Sequence, residues 1–338
     1  MFEFMVIGGK RIKEILEKDY TRVINLIEDA YCLHDNNKTI NPDTYFLRFP
    51  EKPNARIAAL PAYIGGNIDR AGIKWIASFP DNIKNNIPRA SAILILNDFS
   101  TGYPIACLES SIISASRTAA SAVLGATKLN HGQKTVDAIA MIGNGIIAKY
   151  ILEYFIGCGW HFNKIYLYDL DTSYSEDLAA YIRSKYCVSI NILPTLTETC
   201  RASDLIVFAT TSAVPYVNDK EMVSHNPIIL NISLRDLHPD IIIESFNIVD
   251  DIEHSLKAET SLHLTAKLHG HHNFIYGTIG EILNDKISIP QNVLKIYSPF
   301  GMGMLDVALG NYIYEQVKQE GEGECITDFF YDQARKYL

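Results

Sequence analysis

Several groups of residues in this sequence could carry chemistry. The first is Gly143-Asn144-Gly145-Ile146-Ile147, set between the apolar run Val136 to Ile142 and helix-forming residues that continue to about Phe155. A second apolar run, Ile165 to Tyr168, ends in Asp169. Gly143 permits a tight turn, and Gly145, lacking a Cβ, lets the backbone approach a pyrophosphate held at a helix N-terminus. Ala148 still allows helix to pack closely on strand. Asp169 would accept hydrogen bonds from a ribose 2′-hydroxyl and repel a 2′-phosphate, so the cofactor expected is NAD rather than NADP. A purely structural glycine turn is the alternative.

The second group follows later apolar runs, because ligands of open α/β sheets lie beyond the carboxyl ends of the strands. Thr210, Thr211 and Ser212 could hydrogen-bond the ribose or pyrophosphate. Asn231-Ile232-Ser233-Leu234-Arg235-Asp236 places a carboxylate where a nicotinamide would lie; the bland reading of Asp236 is a helix N-cap before His238 to Ile243. The third group is cationic: Arg48, Lys74 within an otherwise apolar strand, and Arg117 on a helix rich in small residues. A buried cation needs an anion, either an internal carboxylate or a substrate carboxylate. The segment His263 to His272 invites a metal, but it lacks an acid or cysteine constellation and reads as a solvated loop; no metal is expected.

The elements that must hold these groups fall into two sets. Gly8 to Leu16 and Tyr20 to His34 read as helices, followed by extended runs at Tyr45 to Phe49, Arg56 to Ile64, Ala71 to Ala77, Ala90 to Leu96 and Tyr103 to Leu108. After the helix Glu109 to Leu129, strand candidates alternate with helices: Ser189 to Leu193, Leu205 to Thr210, Ile228 to Ser233, Phe246 to Asp250 and Lys295 to Ser298. That alternation means a doubly wound parallel sheet. Met304 to Gln319 has the apolar spacing of a helix returning to the first domain. The fold class expected is α/β, with an NAD-binding Rossmann domain and an α+β domain built on a mostly antiparallel sheet. The domains expected are 1–130, completed by a C-terminal helical segment 300–338, and 131–299.

Composition narrows the partners. The chain has 338 residues, 48% of them hydrophobic, enough for buried cores. A formal net charge of −9 with no basic run argues against nucleic-acid and membrane surfaces. The six cysteines form no C-x-x-C pair and read as reduced thiols. No leader or long apolar stretch is evident, so a soluble, cytoplasmic protein is expected.

Taken together, Gly-Ile-Lys74-Trp, Arg117-Thr-Ala-Ala, Ile-Gly143-Asn-Gly145 and Pro299-Phe-Gly301-Met-Gly-Met-Leu-Asp306 resemble the ornithine cyclodeaminase and mu-crystallin family over the whole length. Arg89-Ala-Ser91, Asn97-Asp98, Tyr103-Pro-Ile-Ala and Glu109-Ser-Ser-Ile-Ile-Ser resemble its branch that makes L-2,3-diaminopropionate for siderophores or antibiotics. The resemblance implies NAD-dependent oxidation of N-(1-amino-1-carboxy-2-ethyl)-L-glutamate, releasing diaminopropionate and 2-oxoglutarate. It implies that Lys74, Arg117 and Arg48 hold substrate carboxylates and that Asp236 is the acid/base. It also implies that Ser91, Ile146, Ile147, Asp169, Thr211, Ile232, Ser233 and Phe300 surround the cofactor, and that the first domain is the substrate and dimerisation domain of a homodimer. Ala58 stands where cyclodeaminases have a glutamate, which speaks against ornithine cyclisation. Arg235 departs from the family pattern, either to bind a substrate carboxylate or to face solvent. Alternatives are a ketimine reductase, an alanine dehydrogenase or ornithine cyclodeaminase type of enzyme, or a crystallin-like binding protein without catalysis.

Overall fold

A computed structural model of the chain describes residues 3–330. The chain forms two compact units, Met1–Arg117 with Met302–Leu338 and Thr118–Gly301. In chain order the strands are β1 (Phe4–Ile7), β2 (Thr39–Ile40), β3 (Tyr45–Phe49), β4 (Lys52–Ile64), β5 (Arg70–Ser78), β6 (Ala90–Asp98), β7 (Pro104–Glu109) and β8 (Thr135–Ile142). They continue as β9 (His161–Tyr168), β10 (Ile190–Ile192), β11 (Leu205–Phe208), β12 (Ile228–Asn231), β13 (Phe246–Val249), β14 (Ile275–Thr278), β15 (Lys295–Ser298) and β16 (Glu324–Ile326).

The first unit is a sheet in the order β16-β1-β7-β6-β5-β4-β2, with β3 also pairing β4. Its ladders are antiparallel except that of β1 with β7. Successive side chains of a strand point to opposite faces, and in β5 this buries Gly72 and Lys74 while Trp75 is exposed. The helix Gly303–Glu320 packs on β4, β5 and β6. It can come close because Gly72 has no Cβ: one added there would lie 2.6 Å from the Ile95 carbonyl and 3.2 Å from Val307 Cγ2. Close approach brings Asp306, on the buried side of that helix, over Lys74.

The second unit is a wholly parallel sheet in the order β10-β9-β8-β11-β12-β15-β13-β14. Strand order reverses between β8 and β11, which opens a crevice at their carboxyl ends. Strands covered on both faces must be apolar throughout; β11 consists of Leu-Ile-Val-Phe, all buried.

The α/β class, the parallel sheet and the mostly antiparallel sheet are as read from the sequence. The main elements stand near their expected positions, while β1, β2, β14 and β16 are additional. Each is at most four residues long, too short to display a period. The strands expected to reach Thr210 and Ser233 stop at Phe208 and Asn231, leaving the polar residues in loops. The helix expected within 300–338 spans Gly303–Glu320 and is stopped by Gly321 at φ +69°; residues 331–338 lie outside the described residues. The chain passes from the first unit to the second within the helix Ser111–Leu129.

Candidate active site

The glycine turn is built as the parallel sheet requires. Gly143 has φ +82°, and a Cβ there would sit 2.8 Å from the Ala209 carbonyl oxygen, so only glycine fits between β8 and the end of β11. Gly145 is the N-cap of the helix Ile146–Gly157, which has no side-chain cap, and nothing lies within 4 Å of a Cβ added to it. The first-turn N–H groups of a helix lack intrahelical partners and carry partial positive charge. With Ile146 exposed and Gly145 opening onto free space, a pyrophosphate fits.

Asn144 serves the turn itself. Its backbone N–H donates to Asp169 Oδ2 at 2.7 Å, and its buried side chain donates to Ser175 Oγ at 2.9 Å. Asp169 therefore ties the end of β9 to the turn and, through Oδ1, accepts the Asp171 N–H at 3.1 Å.

Asp236 is not a helix cap. The short helix Pro239–Ile242 is capped by His238, whereas the Asp236 side chain, fully buried, points back toward the strand ends. Thr210 Oγ1 donates to Oδ1 at 2.5 Å, the Tyr216 hydroxyl to Oδ1 at 3.0 Å, and Ser233 Oγ to Oδ2 at 2.5 Å. The N–H of Ser212 donates to Thr210 Oγ1 at 3.2 Å, which leaves that hydroxyl to donate toward Asp236. Burial, and then the Asp236 charge, hold the Tyr216 phenol well above its ordinary pKa, so it stays protonated. Thr211, one residue on, is exposed. Arg235 Nε and Nη2 donate to the Ala258 carbonyl at 3.2 and 2.7 Å. With the Ser261 N–H on the Leu234 carbonyl at 2.7 Å, this anchors the segment before Asp236, where Leu234 adopts φ +70°.

In the other unit, Lys74 Nζ donates to Asp306 Oδ2 at 2.6 Å and to Ser114 Oγ at 3.2 Å. Arg117 Nε lies 3.6 Å from Asp306 Oδ1. Lys74 and Asp306 are almost wholly buried, while Arg117 keeps 13% of its side-chain surface. Two cations thus share one carboxylate, leaving one positive charge uncompensated among the described residues. Arg117 Nε is buried without a hydrogen-bond partner there. Burial pushes the Lys74 ammonium down to about 8; Asp306 opposes that shift and Arg117 adds to it. The internal salt bridge weighed for Lys74 is therefore present, with cationic capacity left over.

Arg48 does not join them. It is exposed on β3 with its guanidinium over the Phe46 ring at 5.1 Å. Register places it against Arg56 and then Ser78, two strands over from β5 and four residues along it from Lys74, roughly 16 Å by sheet geometry. Ser91 is exposed on β6 opposite Ala77. Ile232 and Ser233 follow β12, their N–H groups both on the Phe208 carbonyl. The N–H groups of Phe300 and Gly301 donate to the buried Asp250 at 2.8 and 2.6 Å. His263 to His269 belong to a helix, Ser261–His269, rather than to the expected loop, and no metal-holding cluster of His, Cys, Asp and Glu occurs among the described residues.

Asp306, Ser114, Tyr216 and Asp250 escaped the sequence reading as site residues. Asp306 left a signal: it is an acid inside the apolar stripe Leu305, Ala308, Leu309, Tyr312, Ile313, where only a buried cation would tolerate it. Tyr216 left none, since a tyrosine after a proline in a loop has no period to interpret.

A glycine turn over a parallel sheet, an acid beyond the fifth strand and a separate unit with a buried cation pair define the class as an α/β protein of two units, one of them of dinucleotide-binding type. Residues 10–321 match the model of the ornithine cyclodeaminase/mu-crystallin family, and the chain belongs to that family. It is 29% identical over 316 residues to the N-((2S)-2-amino-2-carboxyethyl)-L-glutamate dehydrogenase of Staphylococcus aureus, covering 90% of this chain and 92% of that protein. Over 336 residues it is 25% identical to the alanine dehydrogenase of Archaeoglobus fulgidus, covering 97% and 99%. The fold matches that of Δ1-pyrroline-2-carboxylate reductase of Thermococcus litoralis, solved with NADH and L-proline, with a TM-score of 0.87, 22% identity and coverage of 95% and 100%.

Proposed function

We propose that this protein is an NAD-dependent oxidoreductase acting on the CH–NH group of an amino-acid-derived amine. In its finer form, the substrate is N-(1-amino-1-carboxy-2-ethyl)-L-glutamate, and the products are L-2,3-diaminopropionate and 2-oxoglutarate, destined for a siderophore or antibiotic. The observation that carries the reading is the coexistence of a buried, hydroxyl-held Asp236 with a buried cation pair bearing surplus charge. The first suits proton transfer and the second suits substrate carboxylates.

Gly143 and Gly145 shape the turn that would hold the pyrophosphate of NAD, with Ile146 and Ile147 offering N–H groups and Asp169 the ribose acceptor. Asn144 keeps that turn in place. Thr211, Ser212, Ile232, Ser233, Ser91 and Phe300 are proposed to line the remainder of the cofactor, and Thr210 to serve both it and Asp236. When bound, NAD supplies the hydride acceptor for oxidation of the carbon–nitrogen bond. Lys74 and Arg117 fix the substrate by its carboxylates, with Arg48 as a further contact at the periphery. Asp236 takes a proton from the water that adds to the substrate imine and passes it to the departing amine.

A homodimer goes with the reading. On the face of the first sheet opposite its helices, Tyr45, Ala59, Trp75 and Ile93 form one row across β3 to β6, with Leu47 beside it. Tyr45, Leu47, Trp75 and Ile93 are exposed, and a contiguous apolar sheet face of this kind suits a second copy. Among the described residues no helix is long and apolar enough to cross a membrane. Cys187 and Cys325 are exposed thiols, which suits a cytoplasmic setting.

The deciding experiment mixes purified protein, NAD and the synthetic glutamate adduct, follows absorbance of the reduced nicotinamide, and identifies products by mass spectrometry. Equimolar reduced cofactor, diaminopropionate and 2-oxoglutarate support the finer reading. Silence with the adduct, together with oxidation of NADH by pyruvate and ammonia or by a cyclic imine, would move the enzyme toward the alanine dehydrogenase or pyrroline-carboxylate reductase activities of its relatives.

A further inference from the structure

The two oxygens of Asp236 are unequally held, and that inequality concerns the proton transfer assigned to this residue under the reading above. Among the described residues, Oδ1 accepts from Thr210 and from Tyr216, whereas Oδ2 accepts from Ser233 alone. Each hydroxyl donated to a carboxylate oxygen withdraws charge from it and lowers its affinity for a proton. We propose that Tyr216 is a positioning residue that, with Thr210, makes Oδ2 the oxygen of Asp236 that gains and loses the proton.

The geometry gives Tyr216 this role for three reasons. Its backbone N–H and that of Val217 donate to the Asp236 backbone carbonyl at 3.0 and 2.9 Å, so the loop carrying the phenol is bolted to the residue it serves. A phenol hydroxyl prefers the plane of its ring, so it has fewer donor directions than the hydroxyl of a serine. Its titratable neighbours are Asp236 and Cys200, and the buried Cys200 thiol is pushed up to about 12, hence neutral. Ser233, by contrast, presents a freely rotating hydroxyl: it donates to Oδ2 when the carboxylate is charged and turns to accept from Oδ2–H once the proton has arrived. The proton balance is simple. Oδ2 takes H⁺ from the attacking water, Ser233 rotates, and Oδ2 returns the H⁺ to the leaving nitrogen, with no change in Tyr216.

The test compares wild type with Tyr216→Phe and with protein carrying 3,5-difluorotyrosine at position 216, whose phenol is the stronger donor. The expected result for Y216F is a fall in kcat of roughly tenfold, with KM and the NADH dissociation constant, read by fluorescence, within about twofold of wild type. The acidic limb of the pH profile moves to higher pH in Y216F and to lower pH in the fluorinated protein, opposite directions that a merely structural tyrosine would not produce. Infrared difference spectra read the same shift without turnover, through the carboxyl band that D236N removes: it appears at higher pH in Y216F and at lower pH with difluorotyrosine. Absence of turnover in wild type would sink the proposed reaction and leave the infrared comparison to decide this inference. An identical band titration in all three proteins overturns it.

Discussion

Asp236 and Asp306 are both fully buried carboxylates, and the two units satisfy them by opposite means. Asp306 meets charge, with Lys74 at 2.6 Å and Arg117 at 3.6 Å. Among the described residues, the side chain of Asp236 meets hydroxyls: Thr210, Tyr216 and Ser233. A carboxylate set between two cations serves as their counter-charge, since losing it would leave two buried cations facing each other. One held by hydroxyls faces no such clash of charges, and the Ser233 hydroxyl can turn from donor to acceptor when a proton arrives. The first acid is scaffolding for a cation site, the second a proton carrier.

This contrast can be broken most sharply at the acids themselves. Asp236→Asn is expected to lower kcat by about 10³-fold, within the range for loss of a general acid or base, with NADH affinity nearly intact by fluorescence titration. Preserved turnover would remove Asp236 from the chemistry. Asp306→Asn is expected instead to act on the fold, costing about 3–5 kcal/mol in urea unfolding because Lys74 and Arg117 lose their counter-charge. If D236N proves the more destabilising of the two, the division between carrier and scaffold is wrong.

The pH dependence sharpens the comparison further. Because the Lys74 ammonium is pushed down to about 8, it is charged below that pH and loses its charge as pH rises through it. Capture of an anionic substrate should weaken accordingly, so kcat/KM of the free enzyme should fall above about pH 8. Lys74→Arg, with a side chain that stays charged, should carry that limb upward if the variant folds; a limb that stays put assigns it to another group.

The smallest effects concern the glycine turn. Gly143→Ala should cost about 1–3 kcal/mol of stability, since both its φ and the Ala209 carbonyl oppose a side chain. Gly145→Ala should leave stability within about 0.5 kcal/mol, and calorimetry should find NAD binding weakened by about tenfold or more. Equal losses of stability in the two variants would mean that Gly145, too, is merely structural.

How far the site could be read in advance differs along the chain. The parallel unit was legible because its strands are continuous apolar runs separated by helices, and because a glycine turn acts over five consecutive residues. Lys74 and Arg117 stood out as cations where apolar or small residues surround them. Arg48 also stood out, but its place on an outer strand over Phe46 depends on register, which a single run of residues does not specify. Asp236 could be a cap or an acid in sequence, because both follow a strand and precede a helix; the fold decided by giving the cap to His238.

Local patterning therefore determined the elements, the glycine turn and the choice of an acid at the end of β9, all of which act through neighbours in the chain. Tertiary structure alone decided which charges meet. Asp306 lies 232 residues from Lys74 and reaches it because Gly72 lets a helix settle on β5. Tyr216 and Ser233 converge on Asp236 because β11 and β12 run parallel and end side by side. Burial then makes those meetings consequential, since the same side chains in water would pair weakly and keep ordinary proton affinities.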